Sequence, residues 1–207
     1  NMLLKVTAPD FDSPEQVEYE AISSLGPRPM RGIRMMTSTA TTADMNYTEG
    51  DSVTVSMWVR LSSENSLPAT NYGIFNWNGF SMFARTDNTA DAYQLRAINV
   101  SSGSINGNYD VPPNTDMLIT YVYRYTGVAN LLELYLNGEL VTSATTAAAD
   151  PASSQPFTLG GGGALPADMV VYSVDMRDTA LTPAEISTYY SEQTMPRIGM
   201  GVDLQPL

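Results

Sequence analysis

The side chains that could carry chemistry in this chain are carboxylates, tyrosines, lysines and amides, because its 207 residues include neither histidine nor cysteine. Histidine is the usual general base near neutral pH, and cysteine supplies thiolate nucleophiles, disulfides and thiolate metal ligands. Serine–histidine triads and histidine-based metal sites are therefore excluded. Catalysis, if present, would have to use carboxylates, tyrosines or lysines.

Oxygen ligands for a hard cation cluster in the segment "RTDNTADAY", which contains Asp87, Asn88 and Asp91. Calcium binds carboxylate and amide oxygens of this kind. The spacing matches no established calcium loop, and Asp and Asn are also common in ordinary turns. The sequence therefore predicts Asp87 and Asp91 as calcium ligands, with a plain polar loop as the alternative.

The second candidate site is the segment "FNWNGF", in which Trp77 lies between Asn76 and Asn78. An exposed indole can stack on a sugar ring while neighbouring amides hydrogen-bond to its hydroxyls. The alternative is that the indole packs against a neighbouring part of the protein. The sequence thus predicts Asn76, Trp77 and Asn78 as a carbohydrate-binding group, with a structural role for Trp77 left open.

Charge limits the partners of the protein. The chain has 22 acidic and 10 basic side chains, a formal net charge of −12 at pH 7, so it would repel a nucleic-acid backbone. No stretch approaches the roughly 18 consecutive apolar residues that a membrane-spanning helix needs. The opening "NMLLKVTAPDF" does not have the pattern of a signal peptide. We therefore expect neither nucleic-acid binding nor membrane insertion.

Short alternating segments dominate the sequence between residues 31 and 182. In "DSVTVSMWVRL", every second residue from Val53 to Leu61 is apolar, which is typical of a half-buried strand. Asn78-Gly79 and Asn137-Gly138 each separate two such segments, and this dipeptide favours two-residue hairpin turns. The pattern predicts an all-β fold made of an antiparallel sandwich or barrel. "LGGGGA" lacks the features of a phosphate-binding loop and is interpreted as a flexible strand end.

One helix is predicted, beginning at Pro183 and ending near Ser191. Thr182 is placed as its N-cap and Glu185 as the reciprocal partner of a capping box. Four prolines in residues 1–30 are typical of an extended N-terminal arm. Residues 193–207 are interpreted as a C-terminal tail, which leaves residues 31–192 as the folded domain.

The order of these elements resembles the laminin G-like branch of the concanavalin A-like lectin and glucanase superfamily. The resemblance rests on "DSVTVSMWVRLSS", "LLELYLNGELVTS", "FTLGGGG" and "MVVYSVDMRDTALTPAEISTYY", and it covers roughly residues 31–192. It implies a two-sheet antiparallel jelly-roll sandwich. The Glu-x-Asp-x-Glu strand of the glucanase branch is not matched here, because its nearest counterpart, Glu49-Gly50-Asp51, lacks the third carboxylate.

Two functions are therefore considered. The first is a non-catalytic structural or binding module without a resident cofactor, on a virion surface of the bacteriophage type (capsid decoration or tail-associated) or extracellular. Its terminal arms would contact other protein chains of a larger assembly, and its loops would contact cell-surface glycans. The alternative is a glycoside hydrolase, which would need two facing carboxylates roughly 5–9 Å apart.

Overall fold

The computed structural model describes residues 2–7, 17–22, 30–35, 39–48, 50–63, 70–86, 93–99, 103–128, 130–146 and 153–199 of the chain. This part of the chain forms one α-helix, α1 (Pro183–Gly199), and fifteen β-strands. The strands are β1 (Met2–Thr7), β2 (Val17–Ile22), β3 (Met30–Met35), β4 (Ala40–Tyr47), β5 (Val53–Leu61), β6 (Asn71–Trp77), β7 (Phe80–Thr86), β8 (Tyr93–Asn99), β9 (Gly103–Val111), β10 (Asp116–Arg124), β11 (Asn130–Leu136), β12 (Glu139–Thr146), β13 (Ser153–Leu159), β14 (Leu165–Pro166) and β15 (Met169–Arg177).

The strands form two sheets packed as a sandwich, as the resemblance implied. Sheet A is antiparallel and has the order β12-β11-β10-β5-β15-β3-β2, with β1 pairing along β15 as well. Sheet B has the order β4-β13-β6-β7-β8-β9, and the short β14 pairs with β6 in parallel. The prediction of a two-sheet antiparallel jelly roll is confirmed.

The core lies between the sheets and is rich in aromatic rings. Tyr121 of sheet A meets Phe75 of sheet B edge to face, with ring centroids 5.6 Å apart. Phe75 in turn stacks on Phe157, at 5.5 Å. Val55 and Met57 of β5 are also buried in this core, so the alternation seen in the sequence does mark its inward face.

Both predicted hairpin turns are present. Asn137 and Gly138 have φ angles of 50° and 86°, and Asn78 and Gly79 have 47° and 87°. Two consecutive positive φ angles are characteristic of a type I′ turn, whose twist matches that of the strands it joins. Asn137 also extends the pairing of β10, because its side-chain oxygen accepts a hydrogen bond from the Leu118 N–H at 2.9 Å.

The N-cap of α1 forms the predicted capping box. The Thr182 hydroxyl accepts a hydrogen bond from the Glu185 N–H at 3.3 Å, and the Glu185 carboxylate accepts one from the Thr182 N–H at 2.7 Å. The Thr182 hydroxyl also donates to the Glu185 carboxylate at 2.8 Å, and the hydrogen bonds from the Thr182 N–H and hydroxyl lower the pKa of that carboxyl group. The helix continues to Gly199, beyond the predicted end near Ser191, so the tail interpretation is wrong for residues 193–199.

The prediction of an extended N-terminal arm is wrong for two segments of residues 1–30. Strand β1 pairs with β15 and strand β2 pairs with β3, so both belong to sheet A. The prolines at positions 9 and 14 fall between these two strands rather than inside them. Proline lacks a backbone N–H, so it interrupts strands without preventing short ones on either side.

The glycine-rich segment, residues 160–163, packs closely against β6 and is not a flexible strand end. It crosses β6 so closely that a Cβ on Gly73 would lie 2.6 Å from the Gly160 carbonyl oxygen, and one on Gly163 would lie 2.6 Å from the Asn71 carbonyl oxygen. The Gly160 N–H donates to the Ile74 carbonyl at 2.8 Å. Glycine is therefore required here by close backbone approach.

Candidate functional site

A polar pocket of about 330 Å³ opens at the end of sheet A where β5 ends and where β10 and β15 begin. Its lining residues come from four separate segments of the chain. Every lining side chain except that of Val170 can donate or accept hydrogen bonds. We call this site the polar pocket, and its described lining consists of Arg34, Arg60, Ser62, Ser63, Asn114, Asp168 and Val170.

Three loops of the polar pocket are held together by hydrogen bonds. Asn114 has a φ of 57°, and its N–H donates to the Leu61 carbonyl at 2.7 Å. Its side-chain amide donates to the Ser63 hydroxyl at 3.1 Å. The Ser62 N–H donates to the Asp168 carbonyl at 2.9 Å, and the Ser62 carbonyl accepts from the Tyr93 hydroxyl. Asparagine tolerates positive φ better than most residues, which suits position 114.

The two arginines of the polar pocket lie in one row across sheet A, with Val170 between them. Val170 is in register with Arg34 on one side and with Arg60 on the other. The Arg34 guanidinium donates to both oxygens of Asp168, each at 3.4 Å. The Arg60 Nε lies 3.8 Å from an Asp116 oxygen. That same oxygen accepts a hydrogen bond from Tyr172 at 2.8 Å.

The floor of the polar pocket continues under α1. Val170 packs with Trp58, Leu118 and Tyr172, and the tyrosines of α1 cover this cluster. The rings of Trp58 and Tyr190 stack with centroids 6.0 Å apart. Trp58, on the outer face of β5, therefore packs between the sheet and the helix.

Farther along the same face, two tighter ion pairs hold α1 and the loop before it. Arg124 donates to Glu133 and to the Leu181 carbonyl, both at 2.9 Å. Arg177 donates twice to Asp175, at 3.0 Å each, and its guanidinium lies over the Tyr189 ring. We call these four charged residues (Arg124, Glu133, Asp175 and Arg177) the helix clamp.

Hydrogen bonds and burial shift one pKa within the helix clamp and one beside it. Asp175 is only 2% exposed, and its hydrogen bonds raise the pKa of the Arg177 guanidinium. Burial, together with the negative charge of Glu133, raises the pKa of Tyr135 to about 12. Thr54 joins β5 to the loop before α1 through two uncharged hydrogen bonds. Its hydroxyl donates to the Thr179 carbonyl at 2.7 Å and accepts from the Leu181 N–H at 3.0 Å.

The indole of Trp77 is not exposed, so the prediction that it stacks on a sugar is wrong in its requirement for an open ring. Trp77 is 0% exposed and lies edge to face with Tyr47, at 5.8 Å. Its Nε1–H donates to the Gln155 carbonyl at 3.1 Å. Asn76 accepts a hydrogen bond from Ser81 at 2.8 Å, and Asn78 is only 6% exposed. Sugar contact by Asn76 or Asn78 stays a prediction.

Asp87 and Asp91 lie outside the described residues, so calcium binding there also stays a prediction. In the part of the chain that is described, no three acidic side chains gather as a metal site would require. The described portion likewise contains no helix with the length and apolar character needed to cross a membrane.

No single motif in the sequence indicates the polar pocket. Its residues extend from position 34 to position 170 and are individually ordinary surface residue types. The available signal was indirect: arginines at the outward positions of predicted strands, and an asparagine after two prolines at a turn.

Solved structures similar to this one include several binding domains. The binding domain of Paraclostridial Mosquitocidal Protein 1 matches with a TM-score of 0.66 and 12% identity, covering 93% of this chain and 52% of that one. The receptor-binding domain of botulinum neurotoxin type G matches with a TM-score of 0.64 and 13% identity, covering 93% and 51%. The chain thus spans about half the length of these toxin domains.

A third similar structure is nearer to this chain in size. It is domain 4 of AbnA, an extracellular GH43 arabinanase from Geobacillus stearothermophilus, in complex with arabinotriose. Its TM-score is 0.60 at 14% identity, and the match covers 85% of this chain and 82% of that domain. At these identities the likeness shows the fold alone. No curated protein sequence matches this chain.

A sequence model described as the concanavalin A-like lectin/glucanases superfamily, Laminin_G_3, matches residues 35–187. These residues include most of both sheets and the start of α1. The chain therefore belongs to the concanavalin A-like lectin/glucanase superfamily.

Proposed function

We propose that this protein is a non-catalytic carbohydrate-binding module and that the polar pocket holds its ligand. The observation that carries the proposal is the composition of the pocket: guanidinium and amide donors, hydroxyls and a carboxylate converge on one cavity. A sugar ring presents hydroxyls that both donate and accept hydrogen bonds, so it can satisfy such a mixed set. Binding-domain neighbours of the same fold support the proposal.

Four carboxylates that are paired with arginines in sheet A and beside it favour a binding role over hydrolysis. Asp168, Asp116, Glu133 and Asp175 each lie beside an arginine. Glu133 and Asp175 are on β11 and β15, which are three strand spacings apart, about 14 Å. A glycoside hydrolase instead needs two carboxylates about 5–9 Å apart across the scissile bond.

The proposal also concerns where the protein is located. A virion surface or another extracellular setting is compatible with an acidic, glycan-binding module. Docking through an N-terminal arm loses support, however, because β1 and β2 pair within sheet A. Contact with an assembly would then use other surfaces or residues outside the described ranges.

A glycan array, followed by calorimetry on the glycans that bind, tests the proposal. The wild-type protein is compared with Asp168→Asn and with a matched control, Asp44→Asn, which changes an exposed carboxylate on β4 of the other sheet. We expect Asp168→Asn to weaken binding about tenfold or more, because hydrogen bonds to charged groups contribute roughly 1.5–3 kcal/mol. Asp44→Asn should bind like the wild type.

Two results would contradict the proposal. One is an array on which the wild-type protein binds no glycan. The other is binding that Asp168→Asn leaves unchanged although the variant folds with the wild-type circular dichroism spectrum and melting temperature, since the ligand site would then lie elsewhere.

A further inference from the structure

The chemistry of the polar pocket restricts the kind of sugar it can hold. None of its described lining residues is aromatic, and Val170 is its one apolar side chain among them. Stacking of a ring face, a common source of affinity in sugar sites, is therefore not provided by these residues. What the described lining residues offer a ligand is mainly charge and hydrogen bonding.

Two arginines dominate that charge. Arg34 and Arg60 occupy positions in register with Val170 on the two strands that flank it. In-register residues of neighbouring strands project from the same face of a sheet. The backbones of the two arginines are two strand spacings apart, about 10 Å, so a group above Val170 lies between both guanidinium groups.

The ion pairs of the polar pocket are longer than those of the helix clamp. Arg34 to Asp168 is 3.4 Å and Arg60 to Asp116 is 3.8 Å. The clamp pairs measure 2.9 and 3.0 Å. Charge-assisted hydrogen bonds are strongest at about 2.7–2.9 Å. A ligand carboxylate at that distance from a guanidinium group would form strong charge-assisted hydrogen bonds.

We propose that the ligand of the polar pocket is a terminal acidic sugar, whose carboxylate lies above Val170 between Arg34 and Arg60. The inference rests on the glycan-binding function proposed above. Arginine suits this role because its planar fork of donors matches a carboxylate. Asp168, Asn114 and Ser63 line the part of the pocket in which the sugar ring would lie.

Size and net charge favour one acidic residue over a polyanionic chain. The pocket volume of about 330 Å³ lies at the low end of small-molecule sites, roughly 300–1,000 Å³. The net charge of −12 would repel a long polyanion along the rest of the surface. A single carboxylate inside the pocket is affected less, because salt screens charges beyond about 8 Å.

The test uses pairs of glycans that differ only at the carboxyl group. Glycans ending in N-acetylneuraminic acid and glycans ending in glucuronic acid are arrayed beside their carboxyl-reduced counterparts, which separates the two sources of the acid. We expect at least one acidic glycan to bind the wild-type protein about tenfold or more tightly than its reduced form.

Three single variants locate the contact. Arg34→Gln and Arg60→Gln should each remove most of the preference for the acidic form while leaving weaker binding of the reduced form. Arg85→Gln makes the same change of charge on β7 of the other sheet and is the matched control. It should keep the wild-type preference.

The outcomes separate this inference from the function on which it rests. Equal binding of acidic and reduced glycans, weakened by Asp168→Asn, would overturn the acidic-sugar inference and leave the carbohydrate-binding function standing. An acidic preference that survives both Arg34→Gln and Arg60→Gln would also overturn it. Failure of every glycan to bind would overturn both.

Discussion

The polar pocket and the helix clamp lie on the same face of the same sheet, and both consist of arginine–carboxylate pairs, yet their geometry differs. In the clamp, the carboxylates are almost fully buried and the donor–acceptor distances are 2.9–3.0 Å. In the pocket, the pairs are 3.4–3.8 Å long and border a cavity. The cavity beside the pocket pairs is the space that the proposed ligand would occupy. The length of the ion pairs is thus the geometric difference between the helix clamp and the proposed ligand site.

The largest expected difference between the two regions is in stability. Arg124→Met would leave the buried Glu133 without its guanidinium and would remove donors to the backbone before α1. We expect a loss of about 2–3 kcal/mol in the free energy of unfolding, below the 3–5 kcal/mol of a fully buried pair because Arg124 is partly exposed. Arg34→Met in the pocket should cost less than about 1 kcal/mol. Urea denaturation measures both.

An equal loss of stability in Arg124→Met and Arg34→Met would remove the distinction between the regions. A larger loss in Arg34→Met would reverse it, and the polar pocket would then have to be regarded as a structural ion-pair site.

A smaller effect is expected where α1 begins. Thr182→Ala removes the N-cap hydroxyl and should cost about 1 kcal/mol of unfolding free energy. Thr188→Ala changes the same residue type at an exposed position inside the helix, where alanine is the better helix former, and should be neutral or slightly stabilising. A Thr182→Ala variant as stable as the wild type would mean that α1 is held by its packing on the sheet alone.

The smallest effect concerns the alkaline titration of Tyr135 beside the helix clamp. The pKa of about 12 in the folded protein lies above the ordinary value of about 10. The fold therefore prefers the neutral phenol: this contribution to stability is complete below pH 10 and is lost as the pH rises through about 12. The difference in ultraviolet absorbance between the wild type and Tyr135→Phe should show one phenol that ionises near pH 12. Ionisation near pH 10 would contradict the burial of this group beside Glu133.

Much of the fold could be predicted because its determinants are local. Each Asn-Gly turn requires two positive φ angles, and the alternation of β5 follows from one buried face. The capping box needs only Thr182 and Glu185. Such features depend on residues close in sequence, so they can be predicted without knowledge of the tertiary structure.

The polar pocket could not be predicted because it depends on strand order. Arg34 and Arg60 flank Val170 only because β15 lies between β3 and β5. For Trp77, the position beside a turn suggested an exposed ring. Phe75 and Trp77 alternate with Asn76 along β6, however, so both rings lie on the core side of the strand. Here the periodicity of the strand was more informative than the nearby turn.

The two tryptophans of this chain lie in separate environments, one between the sheets and one beneath α1. Intrinsic fluorescence can therefore follow two events in one molecule. The signal that remains in a Trp58→Phe variant would come from Trp77 and would follow the opening of the sandwich. The signal of a Trp77→Phe variant would come from Trp58 and would respond when Tyr190 leaves its ring. A ligand that enters beside Val170 would then be detectable without any attached dye, through the indole that shares its floor.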